Sequence, residues 1–278
     1  MSVLELIRWG SALLAEAGVV NPRFEADLLL AAVLSLTRAE LYLEFERILT
    51  EAEIKSYQEK LERRQSREPL QYILQHQEFM GLEFYVDRRV LIPRSDSEIL
   101  VEKLLELLEV SEGNLCPKVL DLCTGSGALA VSVAYYRPQA QVVGIDLSAA
   151  ALEVAALNAL RIGVQVEWRK GDFLIPAAQE QWDWIITNPP YVSSKAYREC
   201  QPEIFFEPSM AFLGGADGLD FYRRLALEVT HILKPQGKLL MEIGWDQAVQ
   251  VGEIFENQGL KTTVFPDLAG RDRVVLVG

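Results

Sequence analysis

The chain has 278 residues, 50% hydrophobic and 24% charged, the composition of a folded globular protein rather than a disordered or fibrous one. Its net charge of −13, from 27 Lys and Arg against 40 Asp and Glu, argues against a nonspecific grip on nucleic acid, which needs clustered cations. No apolar run approaches a membrane span, and the acidic, amphipathic start does not read as a secretory signal, so a cytoplasmic protein without a membrane segment is expected.

Residues 1–66 read as a small bundle of about four helices. Leu4, Ile7, Leu13 and Leu14 keep helical spacing up to Gly18. Asn21-Pro22 looks like a cap followed by proline at the first helical position. Leu28 to Leu34 is apolar almost all round. Thr50 to Glu53 is a capping-box pattern that opens a charged helix reaching about Arg67. Gln77 to Met80, Gly81 and Leu82 to Val86 suggest a hairpin. A second capping-box pattern, Ser95 to Glu98, starts a helix running to about Glu109. Cys116, Cys123 and Cys200 form no CxxC pair, and two histidines add little, so no metal site is expected.

From Lys118 the pattern alternates. Strands are predicted over 118–122, 141–145, 164–168, 183–187, 237–243, 260–265 and 272–277. Helices are predicted over 127–136, 148–161, 218–233 and 246–257. Such alternation implies an α/β fold, a Rossmann-like parallel sheet with helices on both faces. The last two strands are joined only by the turn Pro266 to Arg271, too short for a crossover, so that pair should be antiparallel. The expected organisation is a helical bundle over 1–75, a hairpin and linker over 76–94, and the α/β domain over 95–278.

The strand at 118–122 runs into Cys123-Thr124-Gly125-Ser126-Gly127-Ala128. Glycines there let the backbone approach a ligand and turn into a helix. Asp146, at the end of the next strand, offers a carboxylate to both hydroxyls of a ribose, or caps the helix starting near Ser148. Asp172 either meets an adenine amino group or caps a turn. Phe173 either packs on the adenine or belongs to the core. Gly125 to Ala130 also fits the weak pattern G-x-G-x-x-A, so a dehydrogenase has to be weighed.

Asn188-Pro189-Pro190-Tyr191 follows the strand at 183–187. Proline fixes φ and holds the preceding residue extended. The Asn188 side-chain oxygen and the Pro189 carbonyl then form a pair of fixed acceptors, suited to a planar NH2 group. Tyr191 offers a flat surface against a substrate amide. Holding a weak amide nucleophile close and oriented is the available remedy for its low reactivity. A ribose and adenine site beside such a clamp suits S-adenosylmethionine, with S-adenosylhomocysteine as product; a hydride cofactor leaves the clamp without a role. The bland alternative is a rigid strand-ending turn.

With these motifs in order, the chain resembles the HemK/PrmC family of peptide chain release factor glutamine N5-methyltransferases, over nearly its whole length. The resemblance rests on Arg67 to Ile73, Leu91 to Arg94 with Glu98, Asp121 to Gly127, Asn188 to Tyr191, Gly214-Gly215 with Asp217 to Asp220, Glu242 to Gly244, and Ala269 to Arg273, in family order. It implies a class I S-adenosylmethionine-dependent methyltransferase acting on the Gly-Gly-Gln glutamine of class-one release factors. The helical domain would help dock the factor, and the loop would enter between the domains. Apart from the resemblance, nothing in the sequence demands an oligomer, so a monomer is expected, and the acidic balance leads to no expected direct contact with nucleic acid. Cys123, Thr124, Gly125, Ser126, Gly127, Asp146, Asp172 and Phe173 would hold the cofactor, with Asn188 bordering it. Asn188, Pro189, Pro190 and Tyr191 would hold the glutamine. Arg94 and Glu98 would assist, unless Arg94 pairs with an internal carboxylate and Glu98 only caps Ser95. Arg271 and Arg273 read as structural. Cys123 stands where the family has glycine, and Phe173 where it often has tryptophan. An Asn-Pro-Pro-Tyr motif also occurs in DNA amino-methyltransferases, and that alternative, like a catalytically idle docking protein, is weighed against the ordered set of motifs.

Overall fold

The computed structural model describes residues 1–110, 116–173, 177 and 180–278, and the chain divides into two compact units. No helix among the described residues is long and apolar enough to cross a membrane.

The first unit comprises Met1–His76 together with Gln201–Phe206. Its helices are α1 (Val3–Glu16), α2 (Pro22–Leu34), α3 (Arg38–Leu43), α4 (Glu51–Gln65) and α5 (Leu70–Leu74). The expected count of about four missed one of the short elements, because five or six residues give too little periodicity to register. Capping boxes open α1 at Ser2 and Glu5, α3 at Thr37 and Glu40, and α4 at Thr50 and Glu53. Each satisfies two otherwise unpaired N–H groups. Asn21 makes no side-chain cap, so α2 starts on the fixed φ of Pro22 alone. Leu6, Ile7, Leu14, Leu29, Leu30, Tyr57 and Leu61 form the core of this unit. The segment 201–206 is held by charge: Glu203 accepts from Arg67 Nε and Nη2, both at 2.8 Å, and from Arg64 Nη2 at 2.9 Å.

The second unit comprises Gln77–Cys200 and Glu207–Gly278. A short hairpin, β1 (Gln77–Phe79) with β2 (Leu82–Phe84), precedes α6 (Glu98–Val110). The remaining strands are β3 (Lys118–Leu122), β4 (Gln141–Asp146), β5 (Glu167–Lys170), β6 (Trp182–Thr187), β7 (Leu233–Glu242), β8 (Thr262–Pro266) and β9 (Asp272–Val277). They form a 7-stranded sheet in the order β5-β4-β3-β6-β7-β9-β8. The first five are parallel, and β9 runs antiparallel to both β7 and β8, as the short final turn requires. The longer helices of this half are α6, α7 (Ala128–Tyr136), α8 (Ala149–Ile162), α9 (Asp220–Ile232) and α10 (Ala248–Glu256). β5 begins later than its apolar residues suggest. It is an edge strand, so pairing with Val143 to Asp146 of β4 sets its register, while Val164 and Val166 pack on the core ahead of it.

The capping box expected at Ser95 does not form. Ser95–Ser97 is a 3-10 turn without a side-chain cap. Glu98 instead accepts from the Met80 backbone N–H at 2.7 Å, tying α6 to the hairpin.

Candidate active site

The strand order reverses direction between β3 and β6: from β3 the chain goes outward to β4 and β5, and from β6 outward the other way to β7. Ligands of open parallel sheets sit beyond the carboxyl ends of the strands at such a point. A cavity of about 330 Å³ lies there, with all its walls in the second unit. The loops after β3, β4, β5 and β6 each give it residues: Cys123 to Ser126, Asp146 to Ser148, Gly171 to Phe173, and Asn188 with Pro190. Of the sequence-predicted residues, Cys123, Thr124, Gly125, Ser126, Asp146, Asp172, Phe173, Asn188 and Pro190 therefore share one cavity. Gly127, Pro189, Tyr191, Arg94 and Glu98 are not among its lining residues.

The glycine loop is held from both sides. Buried Asp121 accepts from Thr124 Oγ1 at 2.5 Å and from the Ala130 N–H at 3.2 Å. Burial in this apolar setting pushes its carboxyl up to about 7. On the other side Asp146 Oδ2 accepts from the Gly125 N–H and Oδ1 from the Ser148 N–H, each at 2.8 Å. The cap of α8 itself is Ser148, whose side chain accepts from the Ala151 N–H. Asp146 thus serves the loop and the helix start together, and burial raises its pKa while these N–H groups oppose the rise. A Cβ placed on Gly125 would meet nothing nearer than the Cys123 carbonyl at 3.9 Å, so glycine keeps the cavity open there. Gly127 serves packing instead. Its φ is +80°, and a Cβ on it would lie 3.0 Å from Ala155 and 3.1 Å from Trp168, so the bare backbone lets the loop pack on α8 and β5.

Phe173 is 7% exposed and stacks on Phe221 with ring centroids 4.3 Å apart. The Arg224 guanidinium lies 5.0 Å from the Phe173 ring centre and donates to both Asp172 oxygens, at 2.9 and 2.8 Å. Arg224 also lines the cavity. The local sequence gives no sign of it, because it comes from the second turn of a helix far along the chain.

Asn188 reaches the cavity because β6 pairs with β3, Thr187 standing opposite Leu122. The Thr187 hydroxyl donates to the Leu122 carbonyl at 2.7 Å. The segment after Pro190 is anchored by a bridge to 212–214: the Val192 N–H donates to Phe212 O at 2.7 Å, and the Gly214 N–H to Val192 O at 3.0 Å. Asn188 Nδ2 donates to Ser97 Oγ at 2.9 Å. Its Oδ1 has no protein donor among the described residues. Tyr191 does not line the cavity; its hydroxyl donates to Glu242 Oε1 at 3.0 Å, and burial next to that carboxylate raises its pKa.

Arg94 pairs with buried Glu207, which also accepts from the Ile92 N–H at 2.9 Å. That carboxylate fixes the 90–93 loop, whose Val90, Leu91 and Pro93 form part of the cavity wall. Arg273 sits between Asp96 and Asp267, at 3.2 and 3.3 Å.

A family described as the PrmC N-terminal domain matches residues 5–74, and one described as the methyltransferase small domain matches residues 95–218. The chain is 42% identical over 267 residues to the release factor glutamine methyltransferase of Moorella thermoacetica, covering 95% of this chain and 93% of that one. It is 40% identical over 276 residues to the enzyme of the same name from Geobacter sulfurreducens, covering 99% and 95%. Among solved structures it is similar to a methyltransferase from Pyrococcus furiosus, with TM-score 0.52, 18% identity, and 71% and 88% of the two chains covered. It is also similar to the hMettl16 catalytic domain in complex with an RNA hairpin, with TM-score 0.57, 16% identity, and 74% and 77% covered. At such identities these two structures bear on the fold alone: an α/β methyltransferase sheet.

Proposed function

The chain belongs to the release factor glutamine methyltransferases, and from that premise we propose that its cavity binds S-adenosylmethionine and that Asn188 presents a release-factor glutamine to it. The enzyme transfers a methyl group to the side-chain amide nitrogen of that glutamine, in the Gly-Gly-Gln segment of class-one factors. The observation that carries this reading is the placement of Asn188 beside the glycine loop in one cavity, its amide oxygen lacking a protein donor among the described residues while its amide nitrogen is engaged by Ser97.

The donor set fits the cofactor. Each Asp146 oxygen accepts one backbone N–H and keeps a lone pair for a ribose hydroxyl. Phe173, in the cavity wall, offers apolar surface to adenine, and the open space at Gly125 leaves room beside the backbone. Bound there, S-adenosylmethionine supplies an activated methyl group.

The rest is the work of the chain. The lone pair of a glutamine amide nitrogen is delocalised, so the residues must hold that nitrogen still, close and out of water. Asn188 Oδ1 and the Pro189 carbonyl accept its two N–H groups in the amide plane, which leaves a face of the nitrogen open. The backbone of Asn188 is restrained by Pro189, and that of Pro189 by its ring and by Pro190. Neither acceptor is a strong base, and the proton leaves for solvent once the nitrogen has been alkylated.

The test is labelled S-adenosylmethionine with purified release factor, and separately with duplex DNA. The expected result is label on the glutamine side chain of the factor and none on DNA; label on DNA alone would sink the reading.

A further inference from the structure

Below Asn188 lies a chain of hydrogen bonds that ends on a buried carboxylate. Asn188 Nδ2 donates to Ser97 Oγ at 2.9 Å, Ser97 Oγ donates to Glu242 Oε2 at 2.5 Å, and Tyr191 OH donates to Glu242 Oε1 at 3.0 Å. The Tyr222 hydroxyl adds a bond to the Glu242 carbonyl at 2.8 Å. Glu242 is 2% exposed and Ser97 3%. We propose that Glu242 and Ser97 are positioning residues that lock the side-chain amide of Asn188 with its oxygen, not its nitrogen, available to the substrate. This rests on the functional reading above and deepens it.

Hydrogen-bond polarity decides the orientation. An ionised carboxylate only accepts, so both hydroxyls that touch it must donate to it. Ser97 has a single O–H, and Glu242 takes it. Toward Asn188, Ser97 can then offer only lone pairs, and the amide must turn its NH2 to meet them. The Asn188 oxygen is left for the incoming glutamine. An asparagine amide is nearly symmetric in shape, so packing alone would not choose between its two orientations. In the reversed orientation two NH2 groups would face each other across the cavity, with neither able to accept. A lone ionisable residue ending the apolar run Leu239-Leu240-Met241 is the sequence signal of this arrangement. Burial raises the pKa of Glu242, and the hydroxyls of Ser97 and Tyr191, together with the charge of Arg273, oppose that rise.

The role can be separated from mere structure. Glu242→Gln keeps the shape but presents both a donor and an acceptor, and Ser97→Ala removes the link. Each is expected to lower kcat by about tenfold or more, the equivalent of one mispaired hydrogen bond. The Kd for S-adenosylhomocysteine, measured by calorimetry, should stay within about twofold, since neither residue is part of the proposed cofactor grip. Ser97→Thr, which restores the hydroxyl, should recover most of the rate. If Glu242→Gln and Ser97→Ala both turn over release factor at the parent rate, the lock does not exist. Equal loss in Ser97→Ala and Ser97→Thr would mean that bulk matters rather than the hydroxyl, and loss of S-adenosylhomocysteine binding along with turnover would mean a collapsed pocket; either overturns the proposal. A parent protein that leaves release factor unlabelled would instead remove the functional reading itself.

Discussion

On the proposed reading, two side chains of the cavity divide the work, and their substitution should separate cleanly. Asn188→Ala removes the acceptor proposed to face the substrate. Its kcat should fall by about 100-fold, comparable to losing one preorganised polar contact to the reacting group, while the cofactor Kd changes little. Asp146→Ala removes the proposed ribose acceptor and frees the Gly125 N–H. It should raise the cofactor Kd about tenfold or more and leave kcat at saturating cofactor nearly intact. Stopped-flow or calorimetric binding beside steady-state rates checks both. Equal loss of binding and rate in both variants would show that the two roles have been misassigned. These residues were legible because each stands at a predicted strand end with its chemistry in the local sequence. The contacts of Ser97, Glu207 and Arg224 were not, and Glu242 stood out only as a motif residue without a role, because each acts through a partner 50 or more positions away: Arg224 through Asp172, Ser97 and Glu242 through each other, and Glu207 through Arg94.

Among the helices and strands, the sheet was legible and some ends were not. Strand and helix alternation placed every member of the parallel sheet, and the short last turn gave the antiparallel finish. The Ser95–Glu98 pattern misled because the Glu98 carboxylate found the Met80 N–H instead, a tertiary partner that local reading cannot see. The turn from β3 into α7 depends on Asp121, which gives it a pH signature. Its carboxyl stands at about 7 in the fold against 3.8 when free. Between those values the folded state holds a proton that the unfolded state has released. Stability from this group is therefore complete below the lower value and lost as pH rises through the upper one. The slope reaches up to about 1.4 kcal/mol per pH unit inside the window. Urea unfolding of the parent and of Asp121→Asn from pH 4 to 8 should show this slope in the parent and not in the variant.

Across the full chain, the helical unit is built from two separated stretches of sequence. Its second stretch depends on Glu203, which accepts from Arg64, whose side chain is 5% exposed, and from Arg67. Breaking a buried ion pair by removing one partner costs several kcal/mol. Glu203→Gln should cost less, about 2 kcal/mol, because Arg64 keeps Glu25 at 2.5 Å and Arg67 keeps the Ala17 and Gly18 carbonyls at 3.1 and 3.0 Å. Faster amide exchange in α1, α2 and α4 at unchanged cofactor affinity would bear this out, and unaltered exchange would refute it. The family boundaries fall at residues 74 and 95, which invites treating the front of the chain as a cassette to be cut, fused or swapped. Its last six residues are encoded more than a hundred codons downstream, so a truncation after His76 would express a piece in which Arg64 and Arg67 have lost their shared carboxylate, Glu203. Any chimera that exchanges the front of this protein must also carry its own 201–206.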